Sequence, residues 1–150
     1  ANMMVCLDIN YRPAFWDDTA NAPGRIDEVA KKVTVLKASK EELAELYGEE
    51  NAKEKVQQWL DSGVNVVLVT DGGEPIQYIT REFSGTLASP KMDVKDTTAA
   101  GDSFNGGYLG TILGGESQEL ALKIGHDLAA QVIQCRGAII PKKALSEQIS

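Results

Sequence analysis

Residues 96–104 of the chain read DTTAAGDSF, and this stretch guides the interpretation of the whole sequence. Ala99, Ala100 and Gly101 are small, and Asp102 follows them at the predicted start of a helix. The first amide N–H groups of a helix have no intrahelical acceptor and, with the helix dipole, attract an anion. The stretch therefore predicts a phosphoryl-transfer site, in which these small residues bring backbone amides to a phosphate and Asp102 accepts a proton from a hydroxyl group.

The same stretch resembles the signature of the PfkB/ribokinase family of carbohydrate kinases, usually written DTxGAGD. Two further segments resemble the 2-keto-3-deoxygluconate kinase branch of that family: residues 7–13, LDINYRP, with Phe15 and Trp16 behind them, and residues 132–141, VIQCRGAIIP. Ala99 stands where the general family pattern has Gly, and Ala is typical of this branch. Because alanine tolerates a positive φ poorly, we expect the backbone to pass through Ala99 with a negative φ.

The resemblance implies a fold, a reaction and its cofactors. The fold is an α/β, three-layer ribokinase-like sheet flanked by helices. The reaction is phosphorylation of a small sugar acid, 2-keto-3-deoxygluconate, by ATP with Mg²⁺, with Asp102 as the general base. Arg12 and Asp102 are the implied substrate-binding residues. A monovalent cation, K⁺, is implied near Asp96 and Thr98.

Asn10 and Arg12 come directly after the first predicted strand. Open α/β sheets bind ligands beyond the carboxyl ends of their strands, and an arginine there holds phosphate or carboxylate oxygens well. The resemblance places this segment near nucleotide phosphates and substrate. The alternative is that Asn10 is a turn residue and Arg12 a surface charge.

Three more features concern the nucleotide. Residues 71–74, DGGE, follow a predicted strand that ends at Thr70, and they read equally as a hairpin turn or as the nucleotide-binding loop of the family. The resemblance gives nucleotide contacts to Thr70, Gly72, Gly73 and Glu74, although Thr70 replaces the usual lysine. His126, the single histidine, is expected to line the nucleotide pocket or to pack on its helix.

Composition excludes several functions. A net charge of -7, with 22 acidic against 15 basic residues, argues against a nucleic-acid partner. No apolar run reaches membrane-spanning length, and a cytoplasmic protein is predicted. Cys6 and Cys135 are expected to be buried free thiols. The sequence has neither a GxxxxGK[ST] run nor a GxGxxG run after a strand, so a P-loop kinase and a dinucleotide-dependent dehydrogenase lack support.

Strands and helices alternate along the chain, which predicts an α/β sheet. The predicted strands span residues 3–9, 33–36, 64–70 and 76–79, and the predicted helices span 25–32, 40–47, 51–61, 102–113 and 117–135. The first strand is almost continuously apolar, which favours a fully buried position, and the fourth is expected at an edge. Ser39 and Glu42 have the spacing of a capping box. Leu120, Ile124, Leu128 and Val132 predict the buried stripe of the last helix.

The 150 residues form one domain that corresponds, by resemblance, to the C-terminal half of a family member. The N-terminal half, with the glycine-pair motif, most sugar-binding residues and a small β-sheet lid, has no match. Two alternatives stay open: a kinase of the same family acting on fructose or ribose, and a fragment that binds nucleotide without catalysis or only associates with another chain. Exposed sheet edges would favour self-association into a homo-oligomer.

Overall fold

A computed structural model describes residues 3–72, 74–87, 99–134 and 137. The chain divides into two compact units, Ala1–Ala88 and Ser89–Ser150. In the first unit the strands are β1 (Cys6–Asp8), β2 (Val35–Ser39), β3 (Val66–Thr70), β4 (Ile76–Ile79) and β5 (Ser84–Leu87), and the helices are α1 (Ala22–Ala30), α2 (Lys40–Tyr47) and α3 (Ala52–Ser62). In the second unit the helices are α4 (Ala100–Leu113) and α5 (Gln118–Val132).

The first unit contains a five-stranded mixed sheet in the order β1-β2-β3-β4-β5. β1, β2 and β3 are parallel, and β4 and β5 are antiparallel to their neighbours. Alternate residues of β2 and β3 point to one face of the sheet and form part of the core. In the register, Leu36 and Ala38 of β2 lie beside Val67 and Val69 of β3. Helices α1, α2 and α3 pack their apolar side chains, among them Trp59, into this same core. The predicted α/β class is confirmed.

Helix starts and stops follow the local sequence closely. The capping box is present: the Ser39 hydroxyl accepts from the Glu42 amide, and the Glu42 carboxylate accepts from the Ser39 amide. Ser117 caps α5 through a bond to the Leu120 amide. Gly63 follows α3 with a φ of 123°, a conformation that glycine adopts without strain.

Two strand predictions are wrong in position. The segment from Met3 to Ile9 yields only the short strand β1, which is half-buried rather than fully buried, because it lies at an edge of the sheet that the structure describes. β4 is an inner strand and not an edge, since β5 pairs with it. The sequence analysis missed β5, whose residues SGTL carry little apolar signal; a turn in which Thr80 bonds the Phe83 carbonyl forms the hairpin.

The predicted buried stripe of α5 is wrong for two of its members. Leu120 and Ile124 are 39% and 36% exposed, whereas Val132 is buried. α5 instead turns a side with small residues toward α4: a Cβ added at Gly107 would lie 2.9 Å from the Gly125 Cα. Close backbone approach at these glycines rotates α5 away from the orientation that its leucines suggest.

Asp27 on α1 links all three helices of the first unit. Its carboxylate accepts from the Trp59 indole at 2.8 Å and the Tyr47 hydroxyl at 3.1 Å, and it pairs with Lys55 at 2.9 Å. Burial, followed by the Asp27 charge, raises the pKa of Tyr47 well above its usual value, so the phenol remains a donor. The Lys55 ammonium also lies 4.6 Å from the Tyr47 ring centroid.

We expect Asp27→Ala to lower the free energy of unfolding by about 2 kcal/mol, because it leaves a buried indole N–H and an ammonium without their acceptor. Urea unfolding followed by circular dichroism measures the change. The matched control is Asp61→Ala on α3. Its exposed carboxylate accepts from the Gln57 side-chain amide, and the variant should stay within about 0.5 kcal/mol of the parent. Equal losses in both variants would contradict the role given to Asp27.

Candidate active-site residues

Asp102 lies in the first turn of α4, and its side chain is exposed to solvent. Ala99, the residue before the helix, supplies no side-chain hydrogen bond to that turn. The first intrahelical bond described runs from the Ser103 amide to the Ala99 carbonyl. The backbone amides that precede Ser103 have no acceptor within the helix, as helix geometry requires. A carboxylate and a set of amide donors thus occupy one helix terminus.

Ala99 adopts the left-handed conformation, with φ 62° and ψ 13°. The predicted negative φ is wrong. An αL residue followed by helical residues directs successive amide N–H groups toward one point and forms an anion-binding concavity. The chain reaches the start of α4 through this turn, and the alanine methyl group adds steric cost to it.

Asn10 and Arg12 lie in the loop after β1, as predicted, and both are exposed. Asn10 has a φ of 43°, a conformation that asparagine tolerates better than most residues. Tyr11 between them is buried, and its amide donates to Glu42 Oε1 at 2.6 Å. The Arg12 guanidinium donates to the Tyr11 carbonyl at 2.9 Å. Burial of Tyr11 therefore holds the loop while its two neighbours face outward.

Glu42 joins two segments at the carboxyl ends of β1 and β2. One carboxylate oxygen accepts from Ser39 at 2.7 Å and the other from Tyr11 at 2.6 Å. The sequence analysis identified Glu42 only as a capping residue. Its second bond crosses 31 positions of sequence, and no local pattern predicts such a contact.

Lys37 and Asp8 form an ion pair that the sequence analysis missed. The ammonium of Lys37, which is buried, lies 2.6 Å from Asp8 Oδ2, and the two residues face each other in the β1–β2 register. Burial, then the Asp8 charge, raises the pKa of the neighbouring Cys6 thiol. The sequence signal that could have identified the pair is one acidic and one basic residue, each within an apolar strand segment. Asp8 lies two residues before Asn10, and its pairing with Lys37 attaches the end of β1 to β2.

The segment after β3 forms the turn that leads into β4. Thr70 ends β3 half-buried, Gly72 has a φ of 54°, and the Glu74 amide donates to the Asp71 carbonyl at 2.9 Å. Asp71 also pairs with Lys40 at 3.2 Å across exposed surface. The hairpin interpretation is thus confirmed in geometry, and the nucleotide contacts of Thr70, Gly72 and Glu74 stay predictions.

His126 is buried on α5. Burial lowers the pKa of its imidazole, and the nearby Asp127 charge opposes this in part. The side chain is therefore neutral at pH 7. This agrees with a packing residue, and the predicted nucleotide contact stays a prediction.

Several predicted residues lie outside the described part of the chain. They are Gly73 of the nucleotide loop, Asp96 and Thr98 of the monovalent-cation site, and Cys135. Cys6 is a free thiol, as predicted, but it is half-buried rather than buried. Among the described residues no cluster of three or more His, Cys, Asp or Glu side chains is placed to hold a metal ion. None of the described helices is long and apolar enough to span a bilayer.

Comparison with known proteins places this chain in a family. Residues 1–145 match the profile of the pfkB family carbohydrate kinases. The chain belongs to this family.

The similar proteins are about twice as long as this chain. The chain is 34% identical over 145 residues to 2-dehydro-3-deoxygluconokinase of Escherichia coli K12, covering 94% of this chain and 47% of that protein. The structure of aminoimidazole riboside kinase from Salmonella enterica, complexed with aminoimidazole riboside and an ATP analog, matches with a TM-score of 0.83 and 26% identity over 95% of this chain and 51% of the other. Fructokinase of Xylella fastidiosa with bound ATP matches with a TM-score of 0.81 and 26% identity, over 98% and 53%. The ribokinase-like fold is thereby confirmed for a chain that spans about half of each relative.

In this pfkB-family chain the left-handed φ of Ala99 gives a direct test. We expect Ala99→Gly to raise the free energy of unfolding by about 1 kcal/mol, since glycine adopts αL without steric cost. The control is Ala100→Gly at the first helical position, which we expect to be neutral or destabilising. Urea midpoints of the two variants measure the difference. A loss of stability in Ala99→Gly would mean that the backbone there is not left-handed.

Glu42→Gln tests the link between the two segments. The variant retains one carbonyl oxygen for two backbone donors and directs an NH₂ group at the other, so we expect a loss of about 1–3 kcal/mol in unfolding free energy. Glu41→Gln, the exposed neighbour on α2, is the matched control and should stay near the parent. If Glu42→Gln were as stable as Glu41→Gln, the two bonds would not form in solution.

The depressed pKa of His126 predicts a pH dependence of stability. The unfolded chain takes up a proton on this imidazole as the pH falls below about 6.5, whereas the folded chain resists protonation until lower pH. Stability therefore decreases as the pH falls through this range and is unaffected by this group above it. Because His126 is the single histidine, His126→Asn isolates the effect. Urea unfolding between about pH 5 and 8 should show the advantage of the parent over the variant shrinking toward low pH, and parallel curves would contradict the assignment.

Proposed function

We propose that this chain forms the nucleotide-binding and catalytic part, the C-terminal half, of a kinase that transfers the γ-phosphoryl group of ATP to 2-keto-3-deoxygluconate. This substrate is also called 2-dehydro-3-deoxygluconate, and the product is its 6-phosphate. The observation that carries the proposal is the exposed carboxylate of Asp102 in the first turn of a helix whose N-cap residue provides no side-chain acceptor. Family membership gives this arrangement its chemical meaning.

Asp102 is the proposed general base. Its carboxylate accepts the proton of the substrate hydroxyl as the hydroxyl oxygen attacks the γ-phosphorus and the bond to ADP breaks. The amides of Ala99, Ala100, Gly101 and Asp102 donate to the phosphoryl oxygens, where negative charge is spread in the transition state. Because these donors are fixed by the helix and by the αL turn at Ala99, they need no reorganisation during transfer.

Mg²⁺ is the proposed ion that enters with the nucleotide, and it supplies neutralisation of the triphosphate charge. Phosphate and carboxylate oxygens suit this hard cation. Arg12 is the proposed contact to phosphate or sugar-acid carboxylate oxygens. A guanidinium has five N–H donors, and one of those of Arg12 donates to the Tyr11 carbonyl. Asp96 and Thr98 remain the proposed K⁺ ligands.

The choice of sugar rests on the relatives. The 34% identity to 2-dehydro-3-deoxygluconokinase supports a sugar-acid substrate, together with the segments at residues 7–13 and 132–141. The 26% identities to fructokinase and aminoimidazole riboside kinase support a different sugar within the same reaction as the second candidate. A coupled assay on two chimeras separates the two candidates: in the first this chain replaces the matched residues of the E. coli enzyme, and in the second it replaces those of the X. fastidiosa fructokinase. Turnover of 2-keto-3-deoxygluconate by the first chimera at least ten times that of fructose by the second is the expected result, and the reverse order would overturn the substrate.

The base is tested in the chimera with the E. coli enzyme. We expect Asp102→Asn to lower kcat by a factor of about 10²–10⁴, because the amide cannot accept the hydroxyl proton, while the Kd of Mg-ATP by calorimetry changes by less than about threefold. Asp61→Asn, an exposed aspartate on α3, controls for the loss of one negative charge and should keep full turnover. Near-normal turnover of Asp102→Asn would remove Asp102 from the mechanism.

A non-catalytic role, in which the chain binds nucleotide without turnover, is the third candidate. Calorimetry of this chain alone with Mg-ATP, together with the coupled assay, distinguishes it. Binding without turnover is expected of a nucleotide-binding half, and turnover by the isolated chain would show that the matched segment suffices.

A further inference from the structure

A groove in the first unit lies between helices α2 and α3 and the β4–β5 hairpin. Its volume is about 670 Å³, which is within the range of small-molecule sites. None of the residues that line it is among those proposed above to bind nucleotide, sugar or cation. The proposed kinase reaction therefore gives this groove no occupant.

The floor of the groove is apolar. Leu43 of α2, Val56 of α3 and Val69 of β3 line it, and all three are buried. Ile79 of β4 is half-buried and packs against the same core. The floor is thus the outer surface of the hydrophobic core, and packing holds it in place. Such a surface suits the apolar part of a ligand, because binding removes both from water.

The wall formed by the β4–β5 hairpin is polar. In the register Gln77 lies beside Thr86, and Ile79 lies beside Ser84. Alternate residues share a face, so the side chains of Gln77, Ser84 and Thr86 lie on the same face as Ile79. All three are exposed, and within the described part of the chain none of their side chains makes a hydrogen bond. Their hydroxyl and amide groups are therefore open to a ligand.

The charged residues of the lining are two lysines and one glutamate, which give it a net charge of +1 in a chain whose net charge is -7. Lys53 has no hydrogen bond or ion pair with any described residue. Lys40 pairs with Asp71 at 3.2 Å, but both side chains are exposed, and such a pair holds its lysine weakly. Ammonium, amide and hydroxyl donors thus surround the groove, and Glu49 supplies its single carboxylate, which only accepts.

We propose that this groove binds a small organic anion that carries an apolar ring or chain. The anionic group accepts from Lys53, with Lys40 as the second cation of the lining. The apolar body covers Leu43, Val56 and Ile79, and the hydroxyl and amide groups of the hairpin wall fix its orientation. A neutral apolar ligand leaves the ammonium groups unused, and an organic cation meets more positive than negative charge.

The probe is 2-naphthoate, a two-ring aromatic carboxylate, titrated into this chain by calorimetry. We expect saturable one-to-one binding with a Kd below about 1 mM for a ligand of this size. The neutral analogue 2-naphthamide has nearly the same shape and should bind about two- to fivefold more weakly, since it lacks the charge. Equal or tighter binding of the amide would overturn the anionic class.

Lys53→Gln tests the cation. We expect it to weaken 2-naphthoate binding about two- to fivefold and to leave 2-naphthamide binding unchanged, because only the carboxylate meets the ammonium. Lys32→Gln, which removes an exposed lysine outside the groove, is the matched control and should not change either Kd. A loss of equal size for both ligands, or in both variants, would contradict the contact.

Thr86→Trp tests the place of binding. The indole fills the groove from the hairpin wall, and we expect binding at least about tenfold weaker because the ligand loses its apolar floor. Gln58→Trp adds the same side chain on the exposed side of α3, outside the groove, and should bind as the parent does. Circular dichroism and urea unfolding check that each variant folds, and Ser84→Trp is the alternative blocking variant.

A measurement without any variant locates the ligand. In methyl and amide NMR spectra of the parent chain, 2-naphthoate should shift the signals of Leu43, Val56 and Ile79. Shifts confined to other residues, unchanged binding in a folded blocking variant, or no saturable binding by the parent would each overturn the proposal. The outcome does not depend on the kinase function, because neither ligand is a kinase substrate and no turnover is measured.

Discussion

The carboxylate of Glu42 is the contact on which the carboxyl end of the parallel strands depends. It accepts from the Ser39 amide at the start of α2 and from the Tyr11 amide in the loop after β1. Parallel strands bring these two amides to the same edge of the sheet, where each would otherwise lack an acceptor. One side chain therefore caps a helix and holds a loop, and Asn10 and Arg12 are exposed on either side of the residue that it holds. The Lys37–Asp8 pair supports the same region from within the strands.

In the second unit, small residues determine how the two helices pack and how α4 begins. α4 and α5 approach so closely at Gly107 and Gly125 that neither position has room for a methyl group. Ahead of α4, the αL conformation of Ala99 turns the chain into the helix and orients successive amides outward. Alanine is a costly residue for that conformation, and the cost is consistent with a backbone shaped for binding an anion. Asp102 then places a carboxylate beside those donors.

The chain belongs to the pfkB family and spans about half the length of the relatives that it matches. The described sheet has a polar, antiparallel edge at β5 and an apolar, parallel edge at β1. Among the described strands, β5 has the polar character of an edge strand, whereas β1 has the apolar sequence of a parallel strand.

The sequence by itself determined those features that depend on neighbours along the chain. The capping box at Ser39, the N-cap at Ser117, the glycine after α3 and the order of the helices and the first four strands were predictable because each is a local preference of a few residues. The family signature belongs with them, since its meaning is carried by consecutive residues. Tertiary structure decided the burial of β1, the inner position of β4, the rotation of α5, the sign of φ at Ala99 and the second bond of Glu42. Each of these depends on which distant segment packs against the residue. Tertiary packing overrides the local preference at these positions, and the neighbouring residues in the sequence do not indicate which segment will pack there.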